Sequence, residues 1–378
     1  MNFELSEEHK IFQNTAAQFA QKEIAPLGAE HDEKEEFPKW IFKKAGDLGF
    51  LGIPYPEQYG GTGPDTIALC ILTEEASKAD AGIASGLIVQ NTVGTSPVYN
   101  FGSEEIKQKY LVPAIKGDCI GCFCLTEPNV GSDVSSIEMT AKEDGDDYIL
   151  NGSKLFVSSG MMADYTVVAA RTEKGKGHQG ITMFLVETQS PGLSRKGLKK
   201  LGIRAQDIAE FAFDDCRVPK KHLLGEKGKG FYQLMATVQK TRIVVGSACV
   251  GLAKAAFDTA LRYAKERHQF GQPIGKFQGL QFKLADMAME IELASVFTYK
   301  AAWMNDQGEK CIKEASMAKL YASQMVNRVA YDALQIHGGY GYMREYPLER
   351  YYRDARIMEI FEGTSEIQKV IIARELGL

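Results

Sequence analysis

The chain has 378 residues, enough for two or three domains with sizeable cores, and its 44% hydrophobic and 25% charged residues are ordinary for a globular protein. Lys and Arg number 44 against 49 Asp and Glu, and the resulting net charge of -5 gives no general attraction to nucleic acid. Seven cysteines, an odd count in a long chain, argue for reduced thiols rather than a disulfide scaffold.

The stretch Met1 to Glu8 has no basic n-region and no apolar h-region, so a cytoplasmic protein is expected. No uninterrupted apolar run approaches the roughly 20 residues of a membrane span, so no membrane insertion is expected. Residues 1–118 read as an N-terminal helical domain. Ser6 with Glu7 and Glu8 begins the first helix, and Pro26 stops it. A long Ala-, Leu- and Ile-rich run spans Thr66 to about Tyr99, and another helix starts at Ser103.

From 119 to 224 the pattern becomes short alternating strands. Asp144-Gly145 and Asn151-Gly152 both read as hairpin turns, with strands over Tyr165–Ala170, Ile181–Val186 and Ile208–Phe213. Cys119, Cys122 and Cys124 cluster there without the second Cys/His pair that a structural zinc site needs, so no metal is expected. Residues 225–378 return to helical spacing. Helices fit Phe231 to Arg267, Ile274 to Asn305 and Glu309 to Ile336, each of the order of 40–55 Å at 1.5 Å per residue. A last helix is predicted from Ser365, with Gln368 completing a capping box. Long helices with short loops give a C-terminal four-helix bundle. The fold class is therefore α+β and multidomain: helical, β-barrel or sandwich, helical bundle.

Phosphate-loop, dinucleotide and hydrolase signatures are absent, and Gly225, Gly228 and Gly230 have the wrong spacing for a pyrophosphate turn. What remains is Glu362, a carboxylate beside a glycine just before a helix N-terminus. Alone it reads as a solvated loop residue.

Four spaced segments change that. Cys124-Leu-Thr-Glu-Pro-Asn-Val-Gly-Ser-Asp133 resembles the flavin-contacting signature of the acyl-CoA dehydrogenases, and Gln335-Ile-His-Gly-Gly-Tyr-Gly341 their second signature. Arg267-His-Gln-Phe-Gly271 with Gln278, and Phe361-Glu-Gly-Thr364, are similar to two more. The resemblance runs in order over essentially the whole chain. It implies an FAD enzyme that converts an acyl-CoA to the trans-2-enoyl-CoA, with Glu362 removing the α-proton and flavin N5 taking the β-hydride. It places Phe123, Leu125, Thr126, Ser132, Phe156 and Ser158 at the flavin from the β-domain. Arg267, Phe270 and Gln278 would meet its pyrophosphate and adenosine part. Gln335, Gly338 and Gly339 would reach the flavin of a neighbouring subunit, with Thr364 and Glu366 near the same cofactor. A homotetramer built as a dimer of dimers is implied.

For the substrate, the resemblance points to Ser132, Gln239, Arg242, Phe361 and Gly363, with Gln90 and Asn91 on the floor of the acyl pocket. Their polarity there favours a short or cyclic acyl group. Some family members carry the base on a bundle helix, but the matching position here is Thr241, which cannot serve. An electron-transfer flavoprotein is the implied acceptor. The alternatives are an acyl-CoA oxidase or flavin monooxygenase on the same scaffold, or a helical-bundle binding protein without catalysis.

Overall fold

The computed structural model describes residues 4–378; residues 1–3, part of the N-terminal stretch read above for leader signals, lie outside the described residues. Helices fill the chain up to Ile115: α1 (Glu7–Phe19), α2 (Gly28–Lys34), α3 (Trp40–Asp47), α4 (Thr66–Ala79), α5 (Ala81–Asn91), α6 (Ser96–Phe101), α7 (Glu104–Ile106) and α8 (Val112–Ile115). The Ser6 hydroxyl accepts from the His9 N–H, and Glu7 and Glu8 occupy the positive first turn of α1. The apolar run from Thr66 to about Tyr99 is divided among three helices, α4, α5 and α6. Asp80 breaks it, because its backbone is extended and its carboxylate accepts from the Ile83 N–H at 2.9 Å to cap α5.

Eight strands follow: β1 (Gly121–Cys124), β2 (Thr140–Asp144), β3 (Asp147–Ser158), β4 (Tyr165–Arg171), β5 (Ile181–Glu187), β6 (Leu193–Gly197), β7 (Ile208–Pro219) and β8 (Leu223–Leu224). Their order is β6-β7-β3-β2-β4-β5-β8, with β1 parallel to β4. β2 joins β4 through the single pair Thr140–Arg171, and there the sheet divides into two leaves. The rings of Tyr148 on β3 and Phe184 on β5 meet at 4.9 Å although those strands are not neighbours. The leaves therefore face each other across an apolar interior that includes Leu150, Val168 and Phe211.

Asp144-Gly145 turns the chain from β2 to β3, with Gly145 at φ 58°. Asn151-Gly152 does not turn it. The pair runs on through β3 opposite a bulge in β7, where Asp214 and Asp215 together face Asn151 and Asp215 stands at φ 46°. The Asn151 amide donates to the Asp215 carboxylate and its carbonyl accepts from the Asp215 N–H, both at 2.9 Å. A dipeptide suited to a hairpin thus also serves mid-strand, facing a bulge in the neighbouring strand.

The bundle consists of α9 (Gly230–Glu266), α10 (Gln278–Asp306), α11 (Ile312–His337), α12 (Leu348–Ile357) and α13 (Ser365–Glu375), with a short hairpin, β9 (His268–Gln269) and β10 (Gln272–Pro273), between α9 and α10. Helix α12 was not foreseen. Helix α9 packs against α4, α10 and α11. It is long and apolar enough to cross a membrane, with mean hydropathy 1.4, yet 83% of that apolar window is buried in the protein. A core helix explains it. At Gly251 a Cβ would lie 2.1 Å from the Glu74 carbonyl oxygen, so glycine permits the close crossing of α9 and α4.

Helix α12 ties the three regions together. Arg353 pairs with Asp32 of α2 and with Glu349, both at 2.7 Å, and Arg350 approaches Asp80 at 3.4 Å. The Asp354 carboxylate accepts from the Ile203 N–H of the β6–β7 connection. These contacts fix the segment that leads into Glu362.

Candidate active site

After α12 the chain turns through two successive left-handed residues, Glu362 at φ 52° and Gly363 at φ 91°. Glycine adopts that region freely, whereas a glutamate there is strained and must be held by its surroundings. Two side chains hold it through three hydrogen bonds. The Gln368 amide donates to the carbonyl oxygens of Glu362 (3.2 Å) and Gly363 (2.9 Å), and the Lys319 ammonium donates to the Gly363 carbonyl at 2.8 Å. The N-cap of α13 is Thr364, one residue before the predicted Ser365; its hydroxyl accepts from the Ile367 N–H. Gln368, predicted as the capping-box partner of Ser365, instead holds the turn.

The Thr241 hydroxyl donates to Glu362 Oε2 at 2.6 Å. Arg242 is 7% exposed, makes no ion pair among the described residues, and has an unpartnered Nε. Lys319 is wholly buried. Burial pushes the Glu362 carboxyl above its ordinary range, against the Thr241 bond and the charges of Arg242 and Lys319, which pull it down. Burial likewise lowers Lys319 to about 8 and works against the charge of Arg242, which Glu362 supports. The result is a carboxylate with a weakened preference for ionisation and directional support when it does ionise. That combination suits a general base.

A second group forms in the β-domain. The Leu155 N–H donates to the Thr126 carbonyl at 2.8 Å, which joins the loop after β1 to β3. Lys154, fully buried, donates to the Leu125 carbonyl (3.0 Å) and to Glu127 Oε1 (2.7 Å). Beside it Phe156 stands at φ 58° and 61% exposed, where β3 slips register between Lys154 and Val157. Phe123 pairs with Val167 and Ser158 with Ile208, both half-buried, while Ser132 lies exposed in the following loop.

A third group lines a cleft of about 680 Å³ on the bundle: Arg267, Phe270, Gln335, Gly338 and Gly339, with Tyr263 and Tyr340. Phe270 sits at the hairpin tip, φ 53° and 93% exposed. Gln278 opens α10, exposed and outside this lining. Glu366 is exposed at the start of α13, its carboxyl held low by its own N–H and the Thr364 hydroxyl.

The acyl-pocket expectation for Gln90 is corrected. Its amide donates to the Ala114 (3.1 Å) and Cys119 (2.8 Å) carbonyls, and its oxygen accepts from the Gly121 N–H at 3.0 Å. These bonds lock α5 onto β1 and leave no polar group for a ligand. Asn91 is buried as well, with its amide on the Phe50 carbonyl at 3.2 Å. Gln239 is half-buried, and Phe361 packs on the bundle core. Among the described residues no group of three or more His, Cys, Asp or Glu could hold a metal.

Three successive stretches match family models: acyl-CoA dehydrogenase N-terminal domain over residues 6–118, middle domain over 122–216 and C-terminal domain over 228–377. The mitochondrial short-chain specific acyl-CoA dehydrogenase of Rattus norvegicus is 45% identical over 374 residues, 99% of this chain and 91% of that one. The chain belongs to the acyl-CoA dehydrogenase family. The solved butyryl-CoA dehydrogenase of Megasphaera elsdenii superposes with a TM-score of 0.96 at 41% identity, covering all of both chains. A chain solved in a study of the electron transferring flavoprotein of Acidaminococcus fermentans gives 0.97 at 43% identity, covering 100% of this chain and 99% of that one.

This acyl-CoA dehydrogenase is therefore an FAD-dependent flavoprotein by family. The residues present fit the cofactor. Two large aromatics, Phe156 and Phe270, are held out to solvent in left-handed backbone, an arrangement that costs energy unless a flat ligand or partner covers them. The open backbone at Gly338 and Gly339, where an added Cβ meets nothing within 4 Å, leaves room beside Arg267 for a phosphate-bearing chain. Lys319, Lys154 and Gln368 were not assigned a site role from sequence; each was one polar residue in a helical or alternating pattern.

Proposed function

We propose that the enzyme dehydrogenates a short-chain acyl-CoA at its α,β bond, with Glu362 as the base. The observation that carries this reading is the Glu362 carboxylate itself, desolvated and bonded by Thr241 at 2.6 Å on a turn held by Lys319 and Gln368. Desolvation strengthens the ionised carboxylate as a base, and Thr241 orients the oxygen that does not accept the proton. Arg242, buried without an ion-pair partner, steadies negative charge as it leaves the carboxylate and develops on the thioester oxygen. Bound FAD supplies the acceptor for the β-hydride. The position matching the alternative base is Thr241, here occupied as hydrogen-bond donor to Glu362.

Relatives named short-chain specific and butyryl-CoA dehydrogenases support a short acyl group. An electron-transfer flavoprotein as acceptor is supported by the resemblance and by the neighbour solved in a study of such a protein. A dimer of dimers is supported by an apolar stripe along α10, where Phe282, Met289, Leu293, Val296 and Trp303 are all exposed on one face. Light scattering of the holoenzyme tests it, and a monomer would remove it.

The deciding experiment is anaerobic reduction of the bound flavin by a panel of acyl-CoAs. Butyryl-CoA should bleach it rapidly, and Glu362→Gln should slow that by at least about 10²–10⁴-fold with flavin still bound. Undiminished reduction in Glu362→Gln would refute the base. Rapid reoxidation with peroxide release would favour the oxidase instead.

A further inference from the structure

Lys319 stands wholly buried on α11, and no carboxylate lies within ion-pairing distance of it among the described residues. A lysine so placed is costly, and structure around it must repay the desolvation. Its one side-chain hydrogen bond among the described residues goes to the Gly363 carbonyl, the second peptide after the base. That peptide, between Gly363 and Thr364, closes the left-handed pair 362 and 363 on its C-terminal side, where any relaxation of the backbone would swing the Glu362 side chain and its N–H.

The charged and titratable groups that face Lys319 come from three directions: Cys249 and Arg242 on α9, Glu359 and Glu362 in the turn, and Glu366 on α13. Its ammonium, held on the Gly363 carbonyl, therefore lies close enough to favour the charge of the carboxylate that must ionise. Gln368 holds the same carbonyl with a neutral amide, so geometry alone would be served by a second neutral donor. A charged donor adds something a neutral one lacks.

We propose that Lys319 is a positioning residue for proton abstraction, fixing the strained 362–363 turn through the Gly363 carbonyl and placing positive charge near Glu362. The inference rests on Glu362 being the base. Lys319 touches neither substrate nor flavin in this role; it acts through the turn and the field.

The test uses holoenzyme and three variants, Lys319→Met, Lys319→Gln and Lys319→Arg, with flavin reduction by butyryl-CoA followed across pH. Loss of the nearby cation should raise the low-pH midpoint of Lys319→Met by about half to one unit, because an opposite charge near a carboxylate favours its ionised form. The maximal rate should fall about tenfold as the turn loosens. Lys319→Gln keeps a possible donor without charge and should show the same midpoint shift. Lys319→Arg should bring the midpoint back to that of the parent enzyme. A fall in rate or stability with no midpoint shift would overturn the proposal, since it describes a structural lysine. Failure of both neutral variants to hold flavin would overturn it too, by assigning Lys319 to folding alone. Should Glu362→Gln retain activity, the base reading fails first; should it be inactive while Lys319→Met keeps the parent midpoint, only this inference fails.

Discussion

Replacing Lys154 with methionine probes how the flavin-facing loops are held. The side chain is fully buried, and its ammonium spans the Leu125 carbonyl and Glu127 Oε1 at 3.0 and 2.7 Å. Methionine keeps the apolar stem and deletes the charge. Removing one partner of a buried pair costs about 3–5 kcal/mol, because the other charge is stranded. Glu127 would not be wholly stranded, since the N–H groups of Glu138 (2.6 Å) and Met139 (3.1 Å) still donate to it. The loss therefore falls at the lower end, about 3 kcal/mol. At 1.4 kcal/mol per decade that is about two decades in the equilibrium between the ordered and the disordered loop. Because Thr126 hangs on the same crossing through the Leu155 N–H, most of the penalty should surface as weaker cofactor retention. The FAD dissociation constant, from fluorescence titration of the deflavinated protein, should rise about 100-fold. A variant that holds FAD within about threefold of the parent and unfolds at the same urea concentration would refute the argument.

Thr241→Val removes the hydroxyl on Glu362 Oε2. The single hydroxyl proton has a second acceptor at 2.9 Å, the Val238 carbonyl, so it can turn there when Glu362 is protonated; what the variant loses is the bond to the ionised form. Glu362 already sits above the usual range, and without this support its pKa climbs further, so the low-pH limb of flavin reduction should move up by about one unit. An unmoved limb would contradict this. Asp354 is raised by burial to about 7, so its contribution to stability is fullest below the ordinary carboxyl range and is lost as pH rises through about 7. Asp354→Asn keeps an oxygen for the Ile203 N–H and should flatten the fall in the holoenzyme's thermal midpoint between about pH 4 and pH 7. Identical slopes for the two proteins would count against that assignment.

Much of the architecture was legible because the cues were local. Ser6 with its two glutamates, the Asp144-Gly145 turn and the proline-free helical run after Pro219 each carry their own instruction, and each element sits where the residues put it. Misreadings arose where one residue type serves two purposes. Asn151-Gly152 is compatible with a turn or with a strand position facing a bulge, and the bonds of Asn151 to Asp215 in the bulge of β7 hold the second. Thr364 and Ser365 are both good caps, and the left-handed pair before them places Thr364 first.

The site divides the same way. Glu362 was found because the family segment around it is contiguous. Lys319 was not, because it comes from a helix more than forty residues upstream whose lysine, set among Ala, Leu, Tyr and Ser, looks like any solvated helical position. Gln90 failed in the opposite direction: two polar residues on an apolar helix invite a ligand, yet the unpaired peptide groups where α5 meets β1 consume that polarity first. Buried backbone needs partners before any ligand does, and sequence does not show which backbone groups the fold will strand. At Glu362 the same demand works for function. The two carbonyls of a strained turn require donors, Gln368 and Lys319 provide them, and the donor that is charged also biases the carboxylate it was recruited to hold.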